Sequence, residues 1–527
     1  MPNATDSLTT TSAIAAPTTW TRQLLRALAL LLALGAGLYG VMAINTGYVN
    51  FKGAGNADVA AARLEMRRAA EAGEAAAPAA IASHSGIYLA MVSELTSPRY
   101  AYGAQGLSEP MVHYAEMPAR NGQVLALHNV MGGLLMLFGG LQFWPALRRR
   151  YPRWHRAFGM VYVGAATIAM VAAMAYLTLT PVAQVYDTFT FTAGLWFLAT
   201  GVLASIGMSM YHLRRREIAQ HQAYMAISYG LLLTAPLQRY LWVAVGMRHP
   251  EMRQLEGNFA VTAWLIPFSF LVGYGIFTVN RLLQERKPAA LLARDVAAFP
   301  RARALGQVLT WVLLPLLALG VLATVQHFLV APGMNNYPLA AGLVPAGVVA
   351  LDAAVIGQDL PGRLLFVLAT SAGLLLGGRL LWQAFLRPQA LTPALGTGLA
   401  VSAAVAGAVM SHWGLAMGLP SFATLAGGAT WLCGGVICLA LAALMAWAVR
   451  AGEEAWMREW GLFIVLALLG APSFYAAMPL MAVAGVPAEY VADGHVFRLA
   501  SYGQWFLLLF AFVYSVYGRA TRERFAR

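Results

Sequence analysis

Four histidines and one arginine carry the chemistry this sequence could perform: His128, His155, His212, His221 and Arg239. Each falls in or beside a long apolar run, where a polar group is costly and usually faces a bundle interior or a cavity. Two imidazoles held at one depth on facing helices can approach a flat macrocycle from opposite sides, which is the geometry of bis-imidazole haem ligation. His155 opens one apolar run just after RRRYPRW, and His221 opens another just after RRREIAQ. If both runs cross a membrane in the same sense, the two rings lie at about the same level. The pattern therefore predicts His155 and His221 as axial ligands of a b-type haem. His212, at the same face, and His128 are secondary candidates. The same placement also suits an imidazole that contacts lipid headgroups beside an Arg-rich turn.

His128 opens its run at the opposite level, where its companions are the loop residues His84, His113 and His249. Arg239 follows His221 by 18 positions, so on one unbroken helix it lies roughly 27 Å further along. There it either snorkels to the interface or meets an anionic group beside His128. Gln142 and Arg156 flank the His155 turn and complete the set of candidate site residues.

The elements that must position these residues follow from composition. The chain has 527 residues, 59% apolar and 11% charged, against about 25% charged in a soluble domain. Runs of about 20 apolar residues recur, each able to cross a hydrocarbon core as a helix. Alternating segments of about 10 residues, as a membrane barrel needs, are not seen. The expectation is an all-α polytopic membrane protein of twelve spans: 24–46, 127–147, 157–180, 188–210, 223–245, 258–280, 306–329, 363–385, 394–413, 423–449, 460–483 and 499–518. The net charge of +13 collects in RRRYPRWHR, LRRRE, the stretch from Arg281 to Arg303 and the RATRERFAR tail, whereas 181–187, 330–362 and 411–422 carry no Lys or Arg. That asymmetry reads as positive-inside, with both termini cytoplasmic in a bacterial inner membrane. It makes the lipid bilayer the expected partner and argues against nucleic acid. Cys433 and Cys438 share one apolar span and read as small packing residues. No P-loop or dinucleotide glycine fingerprint is seen.

Along the chain, residues 1–23 read as a disordered cytoplasmic N-terminus and 24–46 as a retained anchor rather than a cleaved signal. Residues 24–280 form a first six-helix repeat with an external excursion at 47–126. That excursion contains helix-forming 57–76, then Tyr88, Tyr100, Tyr102 and Tyr114; it reads as a cap on the bundle, a substrate lid or a ligand donor. A basic linker, 281–305, leads to a second repeat at 306–518 and a basic tail at 519–527. The doubling rests on Gly139-Gly140 with Trp144 against Gly377-Gly378 with Trp382, and on Tyr224-Met225 against Trp456-Met457. Where the first copy has His128, His155 and His221, the second has Phe366, Thr392 or Pro393, and Glu453. His-based chemistry is thus expected in the first copy alone. The matched glycines read as close helix packing, and Trp144, Trp154, Trp382, Trp456 and Trp460 as interfacial anchors.

His128, the run ending at Gln142, His155-Arg156 with Gly159, His221 with Tyr224-Met225, and Arg239 together resemble the bacterial membrane-protein family called domain of unknown function 2306. The resemblance covers roughly 120–245; Tyr224 stands where the family has Trp, and Ile227 where it has a basic residue. The His-bearing helices are also similar to the membrane cytochrome b and ferric-reductase-like superfamily. The resemblance implies a fold rather than a function; it is the level pairing of His155 and His221, absent from the second copy, that makes a haem b electron-transfer protein the leading reading, with a redox partner or quinone to exchange electrons with. Two other classes fit the same spans. Twelve spans in parallel repeats with Arg239 and His128 suit a transporter or permease for a small, anionic solute. A non-catalytic scaffold or sensor would instead use 47–126 to bind a partner.

Overall fold

A computed structural model describes residues 19–104, 117–282, 289–334, 342–387, 389–485, 487, 490–491, 494–503, 506–513 and 515. The expectations for 1–18, His113, Tyr114, 283–288 and the tail lie outside the described residues. Regular structure among the described residues is helical, and ten helices are long and apolar enough to cross a membrane. Two of the twelve expected spans are not among them. Residues 223–245 form two helices rather than one, and 499–518 is described only in part. The chain divides into two compact units, residues 17–215 with 221–286, and residues 287–527, with which 216–220 are grouped.

In the first unit, α1 (Thr19–Gly53) is followed by four short helices, α2 (Ala57–Glu71), α3 (Pro78–Ser85), α4 (Ile87–Leu95) and α5 (Pro98–Tyr102). Long helices follow: α6 (Ala119–Gln142), the short α7 (Pro145–Arg150), α8 (Pro152–Leu179), α9 (Thr188–Arg214), α10 (Ile218–Leu232), α11 (Thr234–Arg248) and α12 (Gln254–Leu282). Helix α6 packs between α1 and α8, and α8 against α9. Helices α3 and α4 pack on α1, and α4 also on α11, so the excursion folds as a cap. Local chemistry starts its helices: Asn56 Oδ1 accepts from the Asp58 and Val59 N–H groups, satisfying orphan donors of α2. Arg63, only 3% exposed, donates to the His84 carbonyl at 2.6 Å and to Asn50 Oδ1 at 2.7 Å. One guanidinium thereby ties α1, α2 and α3 together.

The break between α10 and α11 has a chemical cause. Pro236 lacks an N–H and crowds the carbonyl four residues back, and Thr234 Oγ1 donates to the Leu231 carbonyl at 2.6 Å. Arg239 therefore lies on α11, not on an uninterrupted continuation of the His221 helix.

In the second unit, α13 (Ala289–Val325) starts inside the stretch read as a linker and ends in a π-turn, Gln326–Val330. It is followed by α14 (Ala346–Val355), α15 (Leu360–Leu381), α16 (Pro393–Met417), α17 (Ala429–Arg450), α18 (Glu454–Leu468), α19 (Gly470–Val483) and α20 (His495–Ala500). Helices α16 and α17 make its closest pairing, with α15 and α18 alongside. Cys433 and Cys438 are buried free thiols on α17. Trp144, Trp154 and Trp382 are exposed as anchors should be, but Trp456 is 7% exposed and stacks on Trp460. It is a core residue, because α18 turns that face into the helix pack rather than toward an interface.

Lipid provides no hydrophobic drive between helices, so α1 and α6 depend on close backbone approach. A Cβ on Gly133 would lie 2.5 Å from the Gly40 carbonyl oxygen, whereas one on neighbouring Gly132 would meet nothing within 4 Å. Gly133→Val should therefore destabilise the protein by about 1–3 kcal/mol, read as a lower melting temperature in detergent. Gly132→Val should be near neutral; equal effects would refute this packing.

Candidate functional site

Three of the four sequence-predicted histidines gather at one end of the first unit. Pro152 at the first position of α8 resets the chain after the Arg-rich α7, and His155 lies in the turn it starts. Gln142, buried at the end of α6, reaches this turn. With its nitrogen toward His155, its amide donates to the His155 carbonyl and Nδ1, both at 3.2 Å, and its oxygen accepts from the Gly159 N–H at 3.1 Å. A side chain at Gly159 would meet that amide.

His221 is held differently. Ser209 Oγ on α9 donates to the His221 carbonyl at 3.1 Å and lies 2.8 Å from His221 Nδ1, which is also 3.2 Å from the Ser209 carbonyl. Only a protonated Nδ1 suits that carbonyl, so Nε2 carries the lone pair. His212 is buried one turn along from Ser209, its ring stacked on Tyr224 at 5.4 Å and 10°. His155 and His221 are within electrostatic reach of each other, and Arg148 of both. Arg156, the residue after His155, is exposed.

His128 belongs to the other end. Its Nδ1 lies 2.8 Å from the Ala169 carbonyl of α8, so this ring too keeps Nε2 as the lone-pair nitrogen. Ala169 follows His155 by 14 residues on one helix, which separates the two levels by roughly 21 Å. Between them Tyr162 Oη and Ser228 Oγ bond at 2.9 Å, and Tyr162 and Tyr229 fill the space over Gly139.

Arg239 shares the His128 end. Its Nη1 donates to Gln238 Oε1 at 3.0 Å, and its guanidinium lies 5.2 Å over the Trp242 ring. Gln238 and Trp242 both donate to Asn258 Oδ1 at 3.1 Å, and Asn258 Nδ2 donates to Asp187 Oδ2 at 2.9 Å. This chain of buried amides fixes the guanidinium. Tyr88 on α4 donates to the Arg239 carbonyl at 3.3 Å, and burial pushes its hydroxyl up, so it stays a neutral phenol. The His84 carbonyl serves Arg63, and His249 pairs with Glu251 at 3.4 Å. Among the described residues no three His, Cys, Asp or Glu side chains converge as a metal site needs.

Sequence reasoning missed Ser209 and Arg148, which carry no motif of their own, and it missed a polar group in the second unit. Asp352 is 2% exposed on α14; Oδ2 accepts from the Met334 N–H at 3.1 Å, while Oδ1 has no partner. Tyr475 senses its charge, and the His327 ring stacks on Tyr475 at 4.4 Å. An aspartate within AGVVALDAAV was the available signal. Burial pushes its carboxyl up to about 6, against the Met334 hydrogen bond. The folded chain thus holds this proton more tightly than the unfolded chain, whose aspartate titrates at about 3.9. The stabilisation is complete below that value and is lost as pH rises through about 6, a difference of about 3 kcal/mol at most. Thermal unfolding should show wild type losing stability relative to Asp352→Asn between about pH 4 and 6; parallel curves would contradict the assignment.

Residues 125–272 match the family described as predicted membrane protein (DUF2306), a segment that takes in His128, His155, His212, His221 and Arg239. Among curated proteins and among solved structures nothing matches the chain.

Proposed function

We propose that the first unit holds a b-type haem between His155 and His221 and serves electron transfer within a bacterial cytoplasmic membrane. The observation that carries this reading is the setting of His221. Its Nδ1–H is given to Ser209, so its Nε2 lone pair is oriented and available, the arrangement that outer-shell partners impose on ligating histidines. His155 interacts electrostatically with His221, and Arg148 with both.

The residues present fit the group if Gln142 can serve both states of His155. With Nε2 unengaged, the amide nitrogen donates to Nδ1. Engaging Nε2 puts the ring proton on Nδ1, and a half-turn of the amide then offers it the Gln142 oxygen. Gln142 is thus a positioning residue whose orientation follows the state of His155. Arg148 supplies fixed positive charge that favours an added electron. The haem, when bound, would supply one-electron chemistry, and a quinone or protein redox partner would exchange electrons with it.

Purified protein expressed with ample haem should show a dithionite-reduced b-type absorbance. His155→Ala and His221→Ala should each abolish it, and Ser209→Ala should lower haem occupancy while leaving helix content unchanged. Colourless wild-type protein, or haem content indifferent to both histidine substitutions, would overturn the reading.

A further inference from the structure

Arg239 is a permanent cation in an apolar setting, yet its contacts are with neutral groups: Gln238 Oε1, the Ala235 carbonyl and the Trp242 face. Its Nε and Nη2 make no hydrogen bond, and no carboxylate pairs with it among the described residues. The nearest acid in the relay, Asp187, is reached only through Gln238 and Asn258. An embedded charge left in this state is costly and marks a functional site by default.

Two groups share its field. Tyr88 on the cap helix α4 bonds the Arg239 carbonyl. Helix α1 sets His128 of α6 at the same level, since its Gly47 meets Ala126 and Val130 while its Asn45 accepts from the Ile87 N–H; His128 also feels the Arg239 charge. All three residues are partly rather than fully buried. His128 has committed Nδ1–H to Ala169 and presents a basic Nε2. Tyr88 presents a phenol whose one bond, to the Arg239 carbonyl, is long at 3.3 Å. The set therefore offers a cationic fork, a hydroxyl donor and a proton acceptor.

We propose that Arg239, Tyr88 and His128 form a binding site beneath the cap for a small carboxylic acid, its carboxylate on Arg239 and Tyr88 and its proton on His128 Nε2. The acid O–H is the only bond broken, and the proton ends on imidazole, so charge balances. From a solution in which the acid is already ionised, that proton comes from the buffer, and binding takes up a proton. Arg239 is the charged group facing His128, while Tyr39, Tyr100 and Tyr240 face Tyr88 and stay neutral phenols. The site lies apart from His155 and His221, so it stands or falls without the haem.

The test is calorimetric titration of the full-length protein in lipid nanodiscs with sodium propionate. Two buffers of different ionisation heat are used, with sodium chloride as the ionic-strength control. Saturable propionate binding with proton uptake is expected, weakened about tenfold or more in Arg239→Gln and less in Arg239→Lys. Tyr88→Phe should weaken it several-fold, and His128→Gln should bind without taking up a proton. Circular dichroism checks that each variant is folded. The proposal is overturned by no saturable binding to wild type, by equal displacement with chloride, or by undiminished affinity in folded Arg239→Gln and Tyr88→Phe.

Discussion

A ring proton given to a fixed acceptor is the constraint on which the first unit depends. An imidazole set among apolar helices, with lipid outside, cannot turn to water, so each Nδ1–H must find an oxygen within the bundle. Ser209 supplies it for His221 and the Ala169 carbonyl for His128. Each bond fixes ring orientation and tautomer together, and leaves Nε2 as a lone pair pointing elsewhere. The helices meet where they do partly because these bonds, and the Tyr162–Ser228 bond between them, must all close at once.

That constraint also divides the unit into two levels of different character. The His155 end is rich in imidazole and arginine, with Arg148 supplied by the short α7. The His128 end is roofed by the cap, and Arg239 there is held by a run of buried amides that ends at Asp187. Tyr162 and Tyr229 stand between the levels over a glycine. In the second unit Phe366 belongs to an aromatic cluster, its ring centroid 4.7 Å from that of Phe328 and 5.3 Å from that of Trp413. The second unit's own polar feature, Asp352, arises on a short helix that no repeat pattern pointed to.

Much of this was legible in the sequence because hydrophobic run length and charge asymmetry report directly on membrane helices. Their places after two Arg-rich turns suggested one level for His155 and His221, and the two rings do lie close enough to interact electrostatically. The broken fifth helix could not be read in this way, since Pro236 is tolerated in many membrane helices and only the Thr234 hydroxyl on the Leu231 carbonyl shows the break. Trp456 carried an anchor's signature, yet its burial is decided by which face α18 turns inward. Ser209 was invisible for a similar reason: a serine in an apolar helix gains meaning only from what crosses it. Gln142 was visible as a position, but its place between His155 and Gly159 needed coordinates.

The proposed pairing of His155 with His221 reduces to two Nε2 atoms sharing one iron between α8 and α10. Electron paramagnetic resonance of the oxidised, full-length protein probes that bond directly. A low-spin ferric signal of the bis-imidazole type, lost when His221 is replaced by glycine, is the outcome this account requires. A ferric signal that keeps its low-spin form without His221, or no ferric signal in haem-supplied protein, would contradict it.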